Sequence, residues 1–374
     1  MKKKKIEVIT LHRIVNYGSV LQAYATQYAL ENMGYDVEFL DYYPERMHLL
    51  GMLKRIKNKN NKLKKSLILR TIARCIMFPS YILRFSRFNK FIKSKLKLSP
   101  ITYYTANEID NNPPIADYYC TGSDQVWNSG WNEKIDKPFF LAFDTKNKKC
   151  FSYAASFGKS NLEDWEKNET KKLLEKYSNI SMREKSGVEI LENLGIKNSI
   201  NVLDPTLLLN KEEWSKLASD KYKGKNYIFV YNLNRNNKID KYVEKLAKEK
   251  HLKIYYVSYA LHEFYKKGEM KCNVSVADFL SLIKYATYVV TDSFHATAFS
   301  INFNTNFMIV FPEKYSTRVK SILEITGLES RIVTDYNNIS LASNNIDFKN
   351  ANRILKLERK KAKDYLDEVL GDEQ

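Results

Sequence analysis

The chain has 374 residues, of which 44% are hydrophobic, 28% charged and 13% aromatic. This composition excludes a disordered chain, and the 12 Gly and 8 Pro exclude collagen-like and low-complexity proteins. The longest apolar stretch, residues 75–83, is too short to span a membrane. Glu7, His12 and Arg13 interrupt the region where a secretory signal has its apolar core. We therefore expect a folded protein of the cytoplasm.

The cysteines and histidines do not follow the spacing of metal ligands. The four cysteines are far apart and include no Cys-x-x-Cys pair, which argues against structural zinc and against a disulfide framework. The five histidines include no His-Glu-x-x-His motif. The sequence also has no Gly-x-Gly-x-x-Gly or P-loop motif. It predicts a protein without a metal site and without a bound cofactor.

The net charge of +18 comes almost entirely from one segment. Residues 46–107 contain 16 Lys or Arg and no Asp or Glu. A block of this kind usually binds a polyanion, either an anionic membrane surface or nucleic acid. Nucleic acid is the less favoured partner and is not expected, because no recognition fold accompanies the charge.

Apolar residues alternate with the charges in this segment. Phe85, Phe88 and Ile92 recur at helical spacing with basic residues on their flanks, which predicts basic amphipathic helices. Such helices favour docking on an anionic membrane. The alternative is a helical insert whose apolar face packs on its own domain and leaves a solvated basic rim. Residues 57–65, rich in Lys and Asn, are expected to form a solvated turn.

Strands and helices alternate along the rest of the chain. In the first half, strands are predicted at residues 5–10, 37–40, 117–121, 139–143, 150–155 and 179–182. Helices are predicted there from a Ser19 cap to Gly34, at 162–176 and up to residue 194. In the second half, strands are predicted at 227–231, 254–259, 288–291 and 306–311. Helices are predicted there at 239–250, 276–285, just after 292, and 346–370.

Two successive series of this kind predict an α/β fold with two Rossmann-like, doubly wound domains that face each other across a cleft. Pro205 marks the joint between them, since it cannot continue either element. The predicted N-terminal domain is residues 1–203, on the acceptor side, with the basic helical insert at about 46–107. The C-terminal domain is 204–345, on the donor side, followed by a C-terminal helix at 346–374.

Ligands of doubly wound sheets bind at the carboxyl ends of the strands, so the residues that follow each strand are the candidates. Asn16, Tyr17 and Gly18 follow the first strand. A glycine there lets a ligand approach the backbone, and a helix N-terminus favours an anion. Turn chemistry alone is the other interpretation of this loop.

A second loop contains Ser123, Asp124, Gln125, Trp127 and Asn128. A tryptophan beside amides and a carboxylate is typical of sugar binding, because the ring stacks on the sugar while the polar groups meet its hydroxyls. The alternative is a capped turn with Trp127 in the core.

Two further loops contain charged residues. Arg183 ends a strand and suits a phosphate or carboxylate through its rigid donor fork. The alternative for Arg183 is an ion pair with Glu184 at the surface, which would contribute little to stability. His295 follows Asp292 and Ser293 where a strand meets a helix. The helix N-terminus lowers a histidine pKa, and Asp292 is expected to raise it again.

Five segments, taken in this order, resemble motifs of the polysaccharide pyruvyl transferase family: residues 16–23, 121–128, 181–184, 204–206 and 293–296. The resemblance covers about residues 6–330. It implies a GT-B-like fold. It also implies transfer of the enolpyruvyl unit of phosphoenolpyruvate (PEP) to a sugar of a cell-surface polysaccharide precursor. The product is a cyclic pyruvate ketal, and phosphate is released.

The resemblance also implies roles for single residues. His295 matches the family's catalytic histidine, the general acid that protonates the PEP methylene carbon. Arg183 matches the arginine that clamps the PEP phosphate or carboxylate. Many members have Arg where this chain has Ser293, so one anion contact is expected from elsewhere, such as Arg13 or Arg318.

The expected partners are PEP, a sugar or lipid-linked oligosaccharide acceptor and, through residues 46–107, the inner face of the cell membrane, where the enzyme would be peripheral. Two alternatives remain. One is a GT-B glycosyltransferase that uses a nucleotide sugar. The other is a non-catalytic glycan-binding member of an assembly complex.

Overall fold

The computed structural model describes residues 3–56, 64–259, 261, 266–311 and 316–371. Most of the turn expected at residues 57–65, namely 57–63, lies outside the described residues. The described residues include no helix that is long and apolar enough to cross a membrane.

The N-terminal domain is built on a parallel sheet with the strand order β3-β2-β1-β4-β5. Its strands are β1 (Lys5–Ile9), β2 (Asp36–Tyr42), β3 (Leu98–Tyr103), β4 (Tyr118–Thr121) and β5 (Lys149–Ser152). A short parallel pair, β6 (Ile180–Met182) and β7 (Ser199–Asn201), lies beside β5. The strand order reverses at β1 and β4, and a crevice opens at their carboxyl ends.

The helices of this domain cover the sheet. They are α1 (Tyr17–Asn32), α2 (Leu49–Lys54), α3 (Leu67–Lys95), α4 (Ala106–Asn111), α5 (Ser129–Asn132), α6 (Asp164–Leu174) and α7 (Lys185–Asn193). Asn16, not the predicted Ser19, caps α1, and its side chain accepts a hydrogen bond from the Gly18 N–H. The strand predicted at 139–143 is wrong. Lys137–Phe140 is a 3-10 helix there, and Pro138 has no N–H to donate to a sheet.

The basic segment at 46–107 is not a purely helical insert. It contains the long helix α3, but it ends in β3, an edge strand that pairs with β2 and that the sequence did not reveal. Phe85, Phe88 and Ile92 of α3 are buried in the core, as the packing alternative expected.

The C-terminal domain repeats the design with the strand order β10-β9-β8-β11-β12, all parallel. Its strands are β8 (Tyr227–Tyr231), β9 (Lys253–Ser258), β10 (Glu269–Cys272), β11 (Tyr288–Thr291) and β12 (Phe307–Ile309). Its helices are α8 (Lys211–Leu217), α9 (Asn237–Lys250), α10 (Val276–Lys284), α11 (Phe294–Phe303), α12 (Ser316–Thr326), α13 (Ser340–Ser343) and α14 (Phe348–Leu370). The sequence did not predict β10 or α12.

Contacts at the start of α1 and in the C-terminal helix help to hold the domains together. The Tyr17 ring at the start of α1 stacks on Phe279 of α10 with a centroid distance of 4.1 Å, and its hydroxyl donates to the Val274 carbonyl oxygen at 2.8 Å. Helix α14 returns to the first domain, where the Tyr365 hydroxyl donates to the Ser152 carbonyl oxygen at 2.8 Å. The predicted fold of two Rossmann-like domains around a cleft is therefore confirmed. The residue ranges that the sequence predicts for the two domains remain predictions.

Candidate functional site

A pocket of about 210 Å³ opens between the two domains. Its walls come from the loops after β1, β4, β8 and β11 and from α12, so it lies where doubly wound domains bind ligands. Residues of three predicted loops line it: Asn16, Asp124, Gln125, Asp292, Ser293 and His295. Ser19, Trp131 and Arg318 line it as well.

His295 occupies the first turn of α11, in close contact with the other domain. A Cβ atom added at Gly18 would lie 2.0 Å from His295 Nδ1, so only glycine leaves room for this ring. The side chain is buried, and Nε2 has no hydrogen-bond partner among the described residues. The imidazole therefore has one ring nitrogen available for chemistry inside the pocket.

Burial lowers the pKa of His295 to about 4, although Asp204 and Asp124 favour the charged ring. Arg183 and Arg318 add to the lowering by repulsion. The imidazole is therefore neutral at pH 7.

Asp292 does not have the role expected for it. Its two carboxylate oxygens accept hydrogen bonds from the backbone N–H groups of Leu233 (2.7 Å) and Asn234 (2.9 Å). The carboxylates that raise the pKa of His295 are instead Asp204 and Asp124. Asp292 fixes the loop after β8 at the pocket wall.

We predict that Gly18→Ala lowers turnover about 100-fold, because displacement of a catalytic group by about 1 Å has an effect of this size. Without the clash, alanine would stabilise α1, since its helix propensity exceeds that of glycine. Steady-state kinetics and thermal unfolding are the measurements. Gly130→Ala is the matched control, because its nearest neighbour would be Asn128 Oδ1 at 3.4 Å. Unchanged turnover in Gly18→Ala would show that the His295 position does not matter.

Arg183 lies at the centre of a buried network of carboxylates. Its Nε donates to Glu184 Oε1 at 2.7 Å and its Nη1 to Asp204 Oδ2 at 3.1 Å, while Nη1 lies 3.8 Å from Asp124 Oδ1. The surface pair with Glu184 is therefore wrong, since the Arg183 side chain is 1% exposed. Burial lowers the pKa of Arg183, but the three carboxylates outweigh it and raise the pKa overall. Nη2 has no partner among the described residues.

Asp204 joins this network and is a site residue that the sequence analysis missed. It was interpreted only as part of the domain joint and of a family motif. Its Oδ1 accepts from Thr206 Oγ1 at 2.6 Å, and its Oδ2 accepts from Ser123 Oγ at 3.2 Å. Burial raises the pKa of Asp204, yet His295, Arg183 and the hydrogen bonds from Thr206 lower it overall. Its charge thus faces His295 from behind the pocket.

The second predicted loop contributes to the pocket only in part. Asp124 adopts a left-handed backbone (φ 75°), and its Oδ2 accepts from Ser19 Oγ at 2.6 Å. Burial raises the pKa of Asp124, but Arg183, His295 and Ser19 lower it overall. Gln125 lines the pocket, and its Nε2 has no partner among the described residues.

Trp127 is a core residue, so the sugar-stacking interpretation is wrong for it. It is 2% exposed, its Nε1 donates to the Phe139 carbonyl oxygen at 2.9 Å, and its ring stacks on Phe140. Asn128 caps α5 by accepting from the Trp131 N–H at 3.0 Å. Tyr17 belongs to the domain contact described above. The aromatic residues that do line the pocket include Trp131 and Phe294.

The two arginines proposed to compensate for Ser293 differ. Arg13 donates from Nε to Asp41 Oδ1 at 2.5 Å and lies over the Tyr43 ring, so its charge is paired outside the pocket. Arg318, on α12, lines the pocket. Ser293 also lines the pocket and caps α11, accepting from the Ala296 N–H. In the described part of the chain, no group of His, Cys, Asp and Glu could hold a metal ion.

The sequence profile of polysaccharide pyruvyl transferases matches residues 16–311. The chain belongs to the polysaccharide pyruvyl transferase family. This transferase matches no protein in a search of curated sequences. It does resemble solved structures of GT-B fold. A co-structure of S. aureus MnaA with UDP is 13% identical, covers 99% of this chain and 97% of its own, and has a TM-score of 0.51. A UDP-N-acetylglucosamine 2-epimerase is 9% identical, covers 99% and 96%, and has a TM-score of 0.53. At these identities the likeness concerns the fold alone.

Proposed function

We propose that this polysaccharide pyruvyl transferase takes its pyruvyl group from PEP and forms a cyclic ketal on a sugar of a cell-surface polysaccharide precursor. The observation that carries this proposal is a pair of buried nitrogen atoms without partners at the pocket, His295 Nε2 and Gln125 Nε2, with a third, Arg183 Nη2, in the buried carboxylate network that also contains the pocket residue Asp124. Buried polar groups nearly always have hydrogen-bond partners. A ligand rich in acceptor oxygens, such as a phosphate ester that also carries a carboxylate, would satisfy them.

Arg318 supports the same ligand. It lines the same pocket as Ser293, the position at which many family members have their own arginine. Guanidinium groups bind phosphate and carboxylate oxygens in pairs. We therefore assign the direct donor contact to Arg318. Arg183 completes the anion site from behind, through the one nitrogen that the carboxylates leave without a partner.

The resemblance to the family gives His295 the role of general acid, and its place in the pocket supports this role. In the PEP complex, in which His295 is protonated, Nε2 gives its proton to the PEP methylene carbon, so C3 becomes a methyl group and C2 an oxocarbenium-like centre. One sugar hydroxyl attacks C2 and loses its proton, and the C2–O bond to phosphate breaks. A second hydroxyl attacks C2 in turn and closes the ketal. The arginines stabilise the phosphate as it leaves.

The pocket carboxylates are the candidates to accept the two hydroxyl protons. Asp124 and Asp292 line the pocket beside His295. Burial raises the pKa of Asp292, which makes its carboxylate a stronger base than an exposed one. Trp131 offers a ring on which the acceptor sugar could stack.

PEP binding is predicted to take up about one proton at neutral pH, because the negative charges of PEP raise the pKa of a histidine that is neutral in the free protein. Free His295 has a pKa of about 4, so PEP affinity should fall as pH rises from that value towards the higher pKa of the complex. Calorimetry in buffers of different ionisation enthalpy measures the uptake. His295→Gln should bind PEP without this proton uptake. Equal uptake in wild type and variant would contradict the assignment of His295 as the acid.

Ser293 is the observation that favours a second candidate. Without an arginine at this position, the pocket could serve a nucleotide sugar in a GT-B glycosyltransferase, and MnaA of S. aureus was solved with UDP. This candidate predicts that UDP- or GDP-sugars bind and that PEP does not.

A further inference from the structure

The first half of α3 exposes a row of large apolar side chains. Ile68, Ile72 and Ile76 are 73%, 51% and 56% exposed. Their spacing of four residues places them on one side of the helix. Exposed side chains on both flanks widen this row: Leu67, Leu69, Phe78 and Ile82. We call these seven residues the apolar face of α3. Exposed apolar patches on a folded domain mark sites of interaction.

Positive charges lie at both ends of the apolar face. Lys64 and Lys65 are exposed just before it, and Arg87, Lys90 and Lys93 are exposed on the later turns of α3. The segment from 46 to 107 contains no carboxylate side chain to neutralise them. An apolar stripe bordered by lysines and arginines is the pattern of a helix that lies in a membrane interface.

We propose that the apolar face of α3 docks on an anionic lipid surface. The isoleucines would enter the boundary between headgroups and acyl chains, while the lysines and arginines meet lipid phosphates. A second copy of the chain fits less well, because two such faces would bring like charges together. Nucleic acid also fits less well, because its backbone offers no apolar surface for the isoleucines.

The same helix is fixed to both domains beside the cleft. Arg84 Nε donates to the Val15 carbonyl oxygen at 2.8 Å, directly before the pocket residue Asn16, and its guanidinium lies 3.7 Å from the centre of the Tyr259 ring. Ser80 accepts from the Leu261 N–H at 3.0 Å. Docking through α3 would therefore hold the cleft in a fixed orientation to the membrane. This suits an acceptor on a lipid carrier, but docking itself does not depend on the proposed reaction.

Sedimentation with vesicles tests the docking. The probes are vesicles of phosphatidylcholine alone and vesicles with one-third phosphatidylglycerol. The full chain is compared with a variant carrying Ile68→Gln, Ile72→Gln and Ile76→Gln, since glutamine keeps helix propensity. The matched control carries Trp165→Gln and Leu357→Gln, two exposed apolar residues of other helices. Circular dichroism and sedimentation velocity verify the fold and the oligomeric state of each protein.

We expect wild type and control to bind the anionic vesicles at least roughly tenfold more tightly than the neutral ones. A few basic residues at the membrane interface are enough for a difference of this size. Raising NaCl to about 0.5 M should weaken this binding by screening the charges. The triple variant should bind the anionic vesicles at least about tenfold more weakly than the wild type, because three apolar side chains no longer enter the lipid. Equal binding to both vesicles, or an unchanged triple variant, would overturn the proposal. A dimer of the wild type that dissociates in the triple variant would assign the face to a second copy instead.

Discussion

His295→Gln is expected to lower kcat by about 10²–10⁴-fold, the usual contribution of a general acid. Glutamine keeps a side chain that can donate a hydrogen bond, but it cannot transfer a proton to carbon. The arginines supply the main anion contacts and glutamine keeps a donor at this position, so PEP should still bind, with a Kd raised by less than about tenfold. Phosphate release from PEP with the acceptor sugar, followed by product analysis, is the measurement.

The control for this variant is His48→Gln. His48 hydrogen-bonds to the Tyr43 carbonyl oxygen at 2.7 Å and does not line the pocket, so its replacement should leave kcat unchanged. The thermal stability of His295→Gln should stay close to that of the wild type, because both side chains place a polar group at the same buried position. Full turnover in His295→Gln would refute the role assigned to this ring.

Arg183→Leu is expected to destabilise the fold by about 3–5 kcal/mol, the cost of leaving a buried charge without its partner. Three carboxylates surround the guanidinium, namely Asp124, Glu184 and Asp204, and all lie in the buried network. Urea unfolding followed by fluorescence measures the loss. Arg55→Leu is the control, because Arg55 pairs with Glu133 at the surface and should cost less than about 1 kcal/mol.

The pH dependence separates this charge effect from lost packing. In the wild type the pKa values of Asp124 and Asp204 lie below their ordinary 3.8, so their stabilisation is present above that pH and is lost as pH falls further. Without Arg183, burial should raise both values above those of the unfolded chain. The difference in unfolding free energy between the wild type and Arg183→Leu should then shrink as pH falls from 7 towards 4. A deficit that stays constant over this range would mean that packing, not charge, explains the loss.

The sequence was sufficient for the central strands but not for the sheet edges. Tyr227–Tyr231 is buried along its whole length, so its apolar run stands out against the flanking polar residues. Glu269–Cys272 is an edge strand with two charged residues in four, and nothing local distinguishes it from a loop. Leu98–Tyr103 contains Pro100 and follows a very basic helix, so its sequence did not indicate a strand either.

The site was predictable where it depends on strand ends and not where it depends on side-chain direction. The rule that ligands bind at the carboxyl ends of strands led to Asp124 and His295, since both follow a strand directly. Trp127 in the loop and Trp131 in α5 are close in sequence, and only packing decides that the first is a core residue and the second lines the pocket. Arg318 lies on a helix that no local signal revealed, and the fold alone brings it to His295.

Competitive calorimetry tests the central claim, that this pocket is built for PEP, most directly. Wild type and Arg318→Ala are titrated with PEP, alone and in the presence of UDP- or GDP-sugars. The account predicts that PEP binds the wild type, that the sugar nucleotides do not displace it, and that Arg318→Ala binds PEP at least about tenfold more weakly through loss of a bidentate contact. Binding of a nucleotide sugar with no binding of PEP would contradict it, and the chain would then act as a glycosyltransferase.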